Sequence, residues 1–272
     1  MTTSQKMPYV DWNCEPFAFL QSDRCAPVGM KLRNTKQSIT HLDLARFVRQ
    51  AVDAAGYYII GESYKLSHGN CRMFGVLDLS DKPFSGDEKI CMCIVIRNCL
   101  DGLFSGQIAI GFRLWLHSSI GLLYVAKTFR QSAFAIERLK KWSDPFSQSL
   151  KGYEQQVNIR LLKLRETTMS DGDAASIMVN ATYDGICRLR DLLSVVGKVR
   201  AVPRDRLSAF DLYESFIRIM KRWLFLSPHT AVPALLRLNQ LFDDYEVLNG
   251  QRTTIDESNG LCAGVTNGKL MQ

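Results

Sequence analysis

The feature that most limits the fold of this chain is a change in the spacing of apolar residues near position 127. Between residues 57 and about 126, apolar side chains fall in short runs and alternations of two, which is typical of β-strands. Between 129 and about 248 they recur every three or four positions, as on amphipathic helices. This order predicts an α+β protein, in which an N-terminal helix and a mostly antiparallel sheet pack with an α-helical C-terminal half.

The strand-rich half is expected to begin with a helix over about 41–55. Thr40 can cap its first turn with Asp43 in the capping-box position, and Gly56 can end it. We expect strands at 57–64, 72–79, 89–97, 107–117 and 122–126. Because the gaps between them are of turn length, an antiparallel meander is the simplest topology.

The second half carries clear signals for helix starts. Asp144 before Pro145 opens one helix, Ser170 opens another that breaks near 182–185, and the strongest runs over 206–226. A last helix begins after Ser227, where Pro233 should kink or delay it. The predicted organisation is an N-terminal segment, a helix with an antiparallel sheet, a helical region that could be continuous with the sheet as one domain, and a mobile tail. These segments cover 1–37, 38–127, 128–249 and 250–272.

The positive charge is concentrated in the middle of the chain. Residues 127–222 hold 18 basic and 11 acidic side chains, a net charge of +7, whereas 1–126 is +2 and 223–272 is −2. Such asymmetry favours a polyanionic partner, and nucleic acid is the commonest one. The alternative is a set of solvated, Arg-rich helix faces with no ligand.

Composition and motifs exclude several classes. With 46% hydrophobic residues the chain is not intrinsically disordered, and eight cysteines in 272 residues are too few for a disulfide scaffold. No signal peptide is evident and the longest apolar stretch is interrupted by charge, so we expect free thiols, a cytoplasmic location and no membrane partner. The scattered histidines and the lone pair Cys91 and Cys93 lack zinc-ligand spacing, so no metal and no cofactor are expected.

Two groups of residues near the ends of the predicted strands are candidates for nucleic-acid binding. Arg97 and Asn98 follow an apolar strand, where they either project toward a phosphate or form part of a turn with Asp101. Arg113, Trp115 and His117 alternate along one strand face, which is either a basic-aromatic platform for single-stranded nucleic acid or a face covered by a helix. Sequence alone leaves both alternatives open.

A third group of basic residues follows the last predicted strand. Lys127 and Arg130 are the candidate phosphate contacts in a cluster that continues with Arg138, Lys140 and Lys141. No catalytic residue is predicted, because no nucleophile, zinc or phosphate-loop motif is present. A hydrolase would need acidic residues that converge in space, for which the candidates are Asp78, Asp81, Asp87, Glu88 and Asp101.

An ordered series of short motifs over about 38–245 resembles the family called domain of unknown function 932, which is carried by phages, prophages and plasmids. Residues 97–102 resemble its Arg-Asn-Ser-His-Asp-Gly motif, 111–119 its Gly-x-Arg strand, and 208–213 and 236–242 its late helices. The most polar positions differ, since Cys99-Leu100 replaces Ser-His and 117–119 replaces Cys-Asp-Asn. The His-Thr pair that usually follows in the family is not evident near Phe129 and Arg130. The resemblance implies a mobile-element origin and carries no established activity.

Together these observations predict an accessory protein that binds DNA or RNA, preferably single-stranded, without catalysis. Electrostatic capture by the basic region 127–222 would supply the affinity. The alternative function is a protein–protein inhibitor of a host defence or replication factor.

Overall fold

The structure, a computed structural model, describes residues 17–21, 39–82, 90–114, 118–132, 134–202, 207–227 and 230–245. Its elements in chain order are α1 (Phe17–Leu20), α2 (His41–Ala54), β1 (Tyr58–Ser67), β2 (Arg72–Ser80), β3 (Ile90–Cys99), β4 (Gly106–Leu114), β5 (Ser119–Phe129), α3 (Ala135–Lys141), α4 (Ser143–Glu166), α5 (Asp171–Tyr183), α6 (Leu189–Val199), α7 (Ala209–Leu226) and α8 (230–245). The predicted tail, 250–272, lies outside the described residues.

The five strands form one antiparallel sheet in the order β1-β2-β3-β4-β5. The predicted α+β class and the meander are therefore confirmed. The predicted end of the strand region was too early, because β5 continues through Lys127 to Phe129 and the next helix starts only at Ala135. Two register shifts between β4 and β5 accompany this long strand, and irregular pairing of that kind leaves no regular alternation for a sequence pattern to reveal.

Helices cover both faces of the sheet, and each face has its own hydrophobic cluster. The first cluster joins α2, α3 and the start of α4 to one face of the sheet, and it includes Val48, Leu77 and Ile94. The second joins the rest of α4 and α5–α8 to the other face, and it includes Val76, Val95 and Tyr213. A sheet covered on both faces explains why β3 is apolar along its whole length.

Helix α4 belongs to both clusters. Phe146 and Leu150 near its start lie in the first cluster, whereas Leu161 and Leu164 near its end lie in the second. Since the helix has 24 residues, it extends about 36 Å at 1.5 Å per residue, which is long enough to pass from one face to the other. It therefore links the two layers of helices.

Local capping defines where the helices start. Thr40 and Asp43 form the predicted capping box of α2, in which the Thr40 hydroxyl accepts from the Asp43 backbone N–H at 3.0 Å. Ser208 and Asp211 form a second capping box at the start of α7. Each box satisfies backbone donors that a helix end leaves without partners.

Side chains of β4 contribute to both hydrophobic clusters. Ile108 and Ile110 face the first cluster as one set, but Phe112 and Leu114 belong to the second cluster. The pairing of β4 with β3 keeps one register across these positions, and the extra residues at the two shifts lie on β5. Phe112 lines a cavity together with Val157 and Leu161 of α4, which belong to the second cluster.

Candidate functional site

Arg113 lies inside the protein, in an ion pair with Asp78. Its Nη1 donates to Asp78 Oδ2 at 2.6 Å, and the two residues are 5% and 1% exposed. Burial raises the pKa of Asp78 to about 6, although the neighbouring guanidinium acts in the opposite direction. Arg113 is therefore not part of an exposed platform. Trp115 and His117, its expected companions, lie outside the described residues.

Asn98 is also buried, at the centre of a polar network that joins α2 to the sheet. Its amide Nδ2 donates to the Ile39 carbonyl at 2.9 Å and to His41 Nδ1 at 3.1 Å. Its Oδ1 accepts from Gln131 Nε2 at 2.7 Å and from the Cys99 N–H at 3.0 Å. All four hydrogen-bonding positions of the amide are filled, so Asn98 has a structural role and no capacity left for a ligand.

His41 completes this network as a neutral imidazole. Its Nε2 lies 2.9 Å from the Asn70 carbonyl, which can only accept, so Nε2 carries the proton and Nδ1 accepts from Asn98. Burial lowers the pKa of His41 to about 4, and the hydrogen bond to Asn70 only partly opposes that effect. The imidazole is thus neutral at physiological pH.

The segment after β3 forms the turn that was one of the two alternatives. Asp101 Oδ1 accepts from the Leu103 N–H at 3.3 Å and from the Cys99 thiol at 2.6 Å, while Oδ2 accepts from Arg72 Nε at 2.6 Å. Burial acts to raise the pKa of Asp101, but the hydrogen bonds from Cys99, Arg72 and Leu103, together with the charge of Arg72, lower it overall. This carboxylate is occupied in holding the turn.

Asp78 and Asp101, two of the acidic residues that a hydrolase would need, lie far apart on the sheet. Asp78 is six residues along β2 from Arg72, the partner of Asp101, which is a separation of about 20 Å in an extended strand. Asp87 and Glu88 lie outside the described residues. Among those described, no group of three or more His, Cys, Asp or Glu side chains is placed to hold a metal ion.

Arg97 is buried on the opposite side of β3 from Asn98. It is 7% exposed, and its guanidinium carbon lies 5.2 Å from the centre of the Phe104 ring. Its Nε and Nη1 atoms make no hydrogen bond with any described residue. Unlike Asn98, Arg97 therefore retains unused donors.

Lys127 and Arg130 are the predicted residues that the structure brings together at an open surface. They line a cleft of about 570 Å³ between the end of β5 and helix α3, with Arg138 and Lys141 on its other wall. Thr128, Phe129, Ala135, Leu139 and Trp142 complete the lining. Among the described residues, no acidic side chain lines the cleft and none of its four cationic residues forms an ion pair.

Trp142 gives the cleft an aromatic wall that sequence reasoning did not identify. Its ring stacks on Phe146 with centroids 4.4 Å apart and lies 6.0 Å from Phe47, so it is held in the first hydrophobic cluster. The Lys127 ammonium lies 5.4 Å from the centre of the same ring. The sequence signal that could have indicated this wall is the position of Trp142 directly after Lys140 and Lys141, at the end of a basic helix.

A second, smaller cavity of about 210 Å³ lies between α4 and the ends of β2 and β3. Asp81, Glu154 and Asn158 are among its lining residues. Glu154 Oε2 accepts from the Tyr57 hydroxyl at 2.5 Å, so this carboxylate contributes to packing. Ser80 and Cys91 belong to the same lining.

None of the described helices combines the length and the hydropathy needed to cross a membrane. No family model, curated protein or solved structure matches the chain.

Proposed function

We propose that this protein binds nucleic acid without catalysis, through the cleft between β5 and α3. The observation that carries the proposal is the concentration of Lys127, Arg130, Arg138 and Lys141 around one concave surface, whose described lining residues include no acid. Uncompensated cations of this kind attract phosphates and release the counterions bound to them. A polyanion is the ligand class that such a surface favours.

Single-stranded nucleic acid is the proposed form of the ligand. The cleft is a local concavity rather than a long basic stripe, and it includes the half-buried Trp142 ring. Bases of a single strand can stack on aromatic side chains, which contributes roughly 1–3 kcal/mol for each base, whereas the bases of a duplex are not available for stacking. Lys127 would leave the Trp142 ring to contact a phosphate when a base takes its place.

The biological setting proposed is that of a cytoplasmic accessory protein of a phage or plasmid. Its support is the ordered resemblance of residues 97–102 and 111–119 to motifs of the domain of unknown function 932 family. In this chain Asn98 and Arg113 of those motifs have structural partners. The proposed binding surface therefore lies after the motifs, not within them.

Fluorescence anisotropy with labelled single- and double-stranded oligonucleotides tests the proposal. At ~50 mM salt we expect the wild type to bind the single strand more tightly, and the Arg130→Gln/Arg138→Gln variant to lose about tenfold or more in affinity. The affinity of this variant should also depend less on salt concentration. The slope of log affinity against log salt should fall by about one unit for each lost phosphate contact.

The matched control removes the same charge elsewhere. Lys151 and Arg200 are exposed residues of α4 and of the segment after α6, outside the cleft. The Lys151→Gln/Arg200→Gln variant should bind almost as well as the wild type. If the wild type binds no oligonucleotide at ~50 mM salt, or if both double variants lose affinity equally, the cleft is not a nucleic-acid site.

A protein partner is the second proposed function, and one observation favours it. Helices α5 and α6 expose large apolar side chains at helical spacing, namely Val179, Tyr183, Leu189 and Leu193, which are 63–90% exposed. Exposed apolar side chains that recur along a helix are common at protein interfaces. Pull-down from host lysate with and without nuclease separates the two functions, because only a direct protein partner survives nuclease.

A further inference from the structure

Arg97 presents a buried positive charge for which the described residues supply no counterion. Along β3, Val95 belongs to the second cluster and Ile96 to the first. Because successive side chains of a strand point to opposite faces, Arg97 lies on the same face as Val95, which α5–α8 cover. Asp101, the acid of the adjoining turn, is bound by Arg72 and by the Cys99 thiol. The guanidinium contacts the Phe104 ring, which screens the charge only in part.

Leaving this group without an acceptor is energetically expensive. Burial lowers the pKa of Arg97, but an arginine stays protonated in proteins, so the charge cannot be removed by titration. A buried cation without a partner is among the costliest features that a core can contain. A water molecule could fill a hydrogen-bonding position at Nε or Nη1, but it would not neutralise the charge.

Gln107 lies directly opposite Arg97 in the pairing of β3 with β4. Its Oε1 is buried and accepts no hydrogen bond, while Nε2 is 3.4 Å from Thr128 Oγ1. The O and N positions of an amide are interchangeable by a half-turn. After that rotation Oε1 accepts from the Thr128 hydroxyl, and Nε2 takes the buried position as a donor on the same face of the sheet as Arg97.

We propose that Arg97 is the anchor of a binding site for a small oxyanion, a carboxylate or a phosphate group, at this end of the sheet. Arg97 supplies the charge, the Gln107 amide a neutral donor, and Phe104 the apolar cover. The basic cleft lies on the other side of the sheet, since Ala135 and Leu139 of its lining belong to the first hydrophobic cluster. Thr128 borders both places, but none of the four basic residues of the cleft belongs to the oxyanion site, so the two proposals can be tested separately.

Thermal unfolding at constant ionic strength tests the site with inorganic phosphate, acetate and chloride as separate probes. An anion that binds only the folded state raises Tm by roughly 5 °C at about a hundred times its Kd. We expect a saturable rise with phosphate or acetate over chloride, and the better of the two identifies the ligand class. The rise should be absent in Arg97→Gln and retained in Arg130→Gln/Arg138→Gln, which alters only the cleft.

A second variant keeps the proposal testable if Arg97→Gln does not fold. Gln107→Glu places a carboxylate opposite Arg97, so it should raise Tm above that of the wild type and abolish the response to phosphate and acetate. The proposal is overturned if neither anion raises the wild-type Tm above the chloride value. It is equally overturned if Gln107→Glu lowers Tm, because a carboxylate at position 107 should stabilise the buried Arg97 charge.

Discussion

At the scale of single residues, neighbouring positions on β3 have opposite roles. Asn98 has all its hydrogen-bonding positions filled, whereas Arg97 has donors without acceptors. Successive side chains of a strand point to opposite faces, so the two residues meet different layers of helices. Asn98 thus holds α2 against one face of the sheet through hydrogen bonds, and Arg97 provides a candidate ligand site on the other face.

The network around Asn98 predicts a pH dependence that comes from His41. Its pKa is about 4 in the folded protein and 6.5 in the unfolded chain, so the unfolded state takes up a proton first as the pH falls. The stability that the neutral imidazole contributes is complete above pH 6.5 and is lost between about 6.5 and 4, which amounts to about 3 kcal/mol. The His41→Gln variant lacks this titration. Between pH 6.5 and 4 its free energy of unfolding should therefore decrease by about 3 kcal/mol less than that of the wild type.

The comparison with the variant is essential because Asp78 acts in the opposite direction. Its pKa is about 6 in the folded protein against 3.8 in the unfolded chain, so its contribution to stability grows as the pH falls from 6 to 4. The two effects partly cancel in the wild-type profile. Urea unfolding of both proteins at several pH values measures the difference, and parallel profiles would show that His41 titrates normally in the fold.

The sequence around Arg97 and Asn98 is compatible with both alternatives, a turn and a ligand site. The partners that decide the matter, Ile39 and Gln131, lie 59 and 33 positions away from Asn98. The same limit applies to Arg113, whose counterion is 35 positions away on another strand. Pairings at such distances depend on the exact register of the strands and on how α2 and the segment after β5 pack against the sheet, which no local pattern contains.

At the scale of elements, features with local signals were predicted and irregular ones were not. The Thr40 cap and the break between α5 and α6 agree with the structure because their signals lie within a few residues. The extent of β5 was missed, since this strand contains two bulges. Leu122, at the first bulge, has a positive φ of 46° and leaves the ladder of strand hydrogen bonds.

The bulge predicts a specific role for Tyr213. The Leu122 N–H donates to the Tyr213 hydroxyl at 2.7 Å, and that hydroxyl donates to Asn239 Oδ1 at 2.7 Å. Tyr213 is fully buried, so Tyr213→Phe leaves the Leu122 N–H without its acceptor and should lower the free energy of unfolding by about 2 kcal/mol. Chemical denaturation measures the change. Tyr183→Phe is the control, because Tyr183 is 90% exposed and its loss should be nearly neutral.

If the two tyrosine variants have equal stability, the Tyr213 hydroxyl does not hold the bulge. Tyr213 would then stabilise the fold through its ring alone, which packs edge-on against Phe242 at 5.2 Å and lies 6.4 Å from Phe112. Phenylalanine preserves both ring contacts. The substitution therefore separates the hydrogen bond from the packing.

At the scale of the whole molecule, the sheet and helix α4 join the two hydrophobic clusters. Neither cluster has a sheet of its own, because the same strands provide Val76 to one and Leu77 to the other. Unfolding of these strands would therefore expose the apolar side chains of both clusters at once. We therefore expect the described part of the chain to unfold as one cooperative unit.

Two substitutions in α4 test this coupling. Leu150 lies in the first cluster and Leu164 in the second, and both are fully buried, so replacement of either by alanine should lower the free energy of unfolding by about 2–5 kcal/mol. Leu162→Ala is the control on the same helix, because Leu162 is 54% exposed and should change stability by less than about 0.5 kcal/mol. In calorimetry each core variant should shift a single transition whose calorimetric and van't Hoff enthalpies agree. Two transitions, with Leu150→Ala moving only one and Leu164→Ala only the other, would mean that the layers unfold separately and that α4 does not couple them.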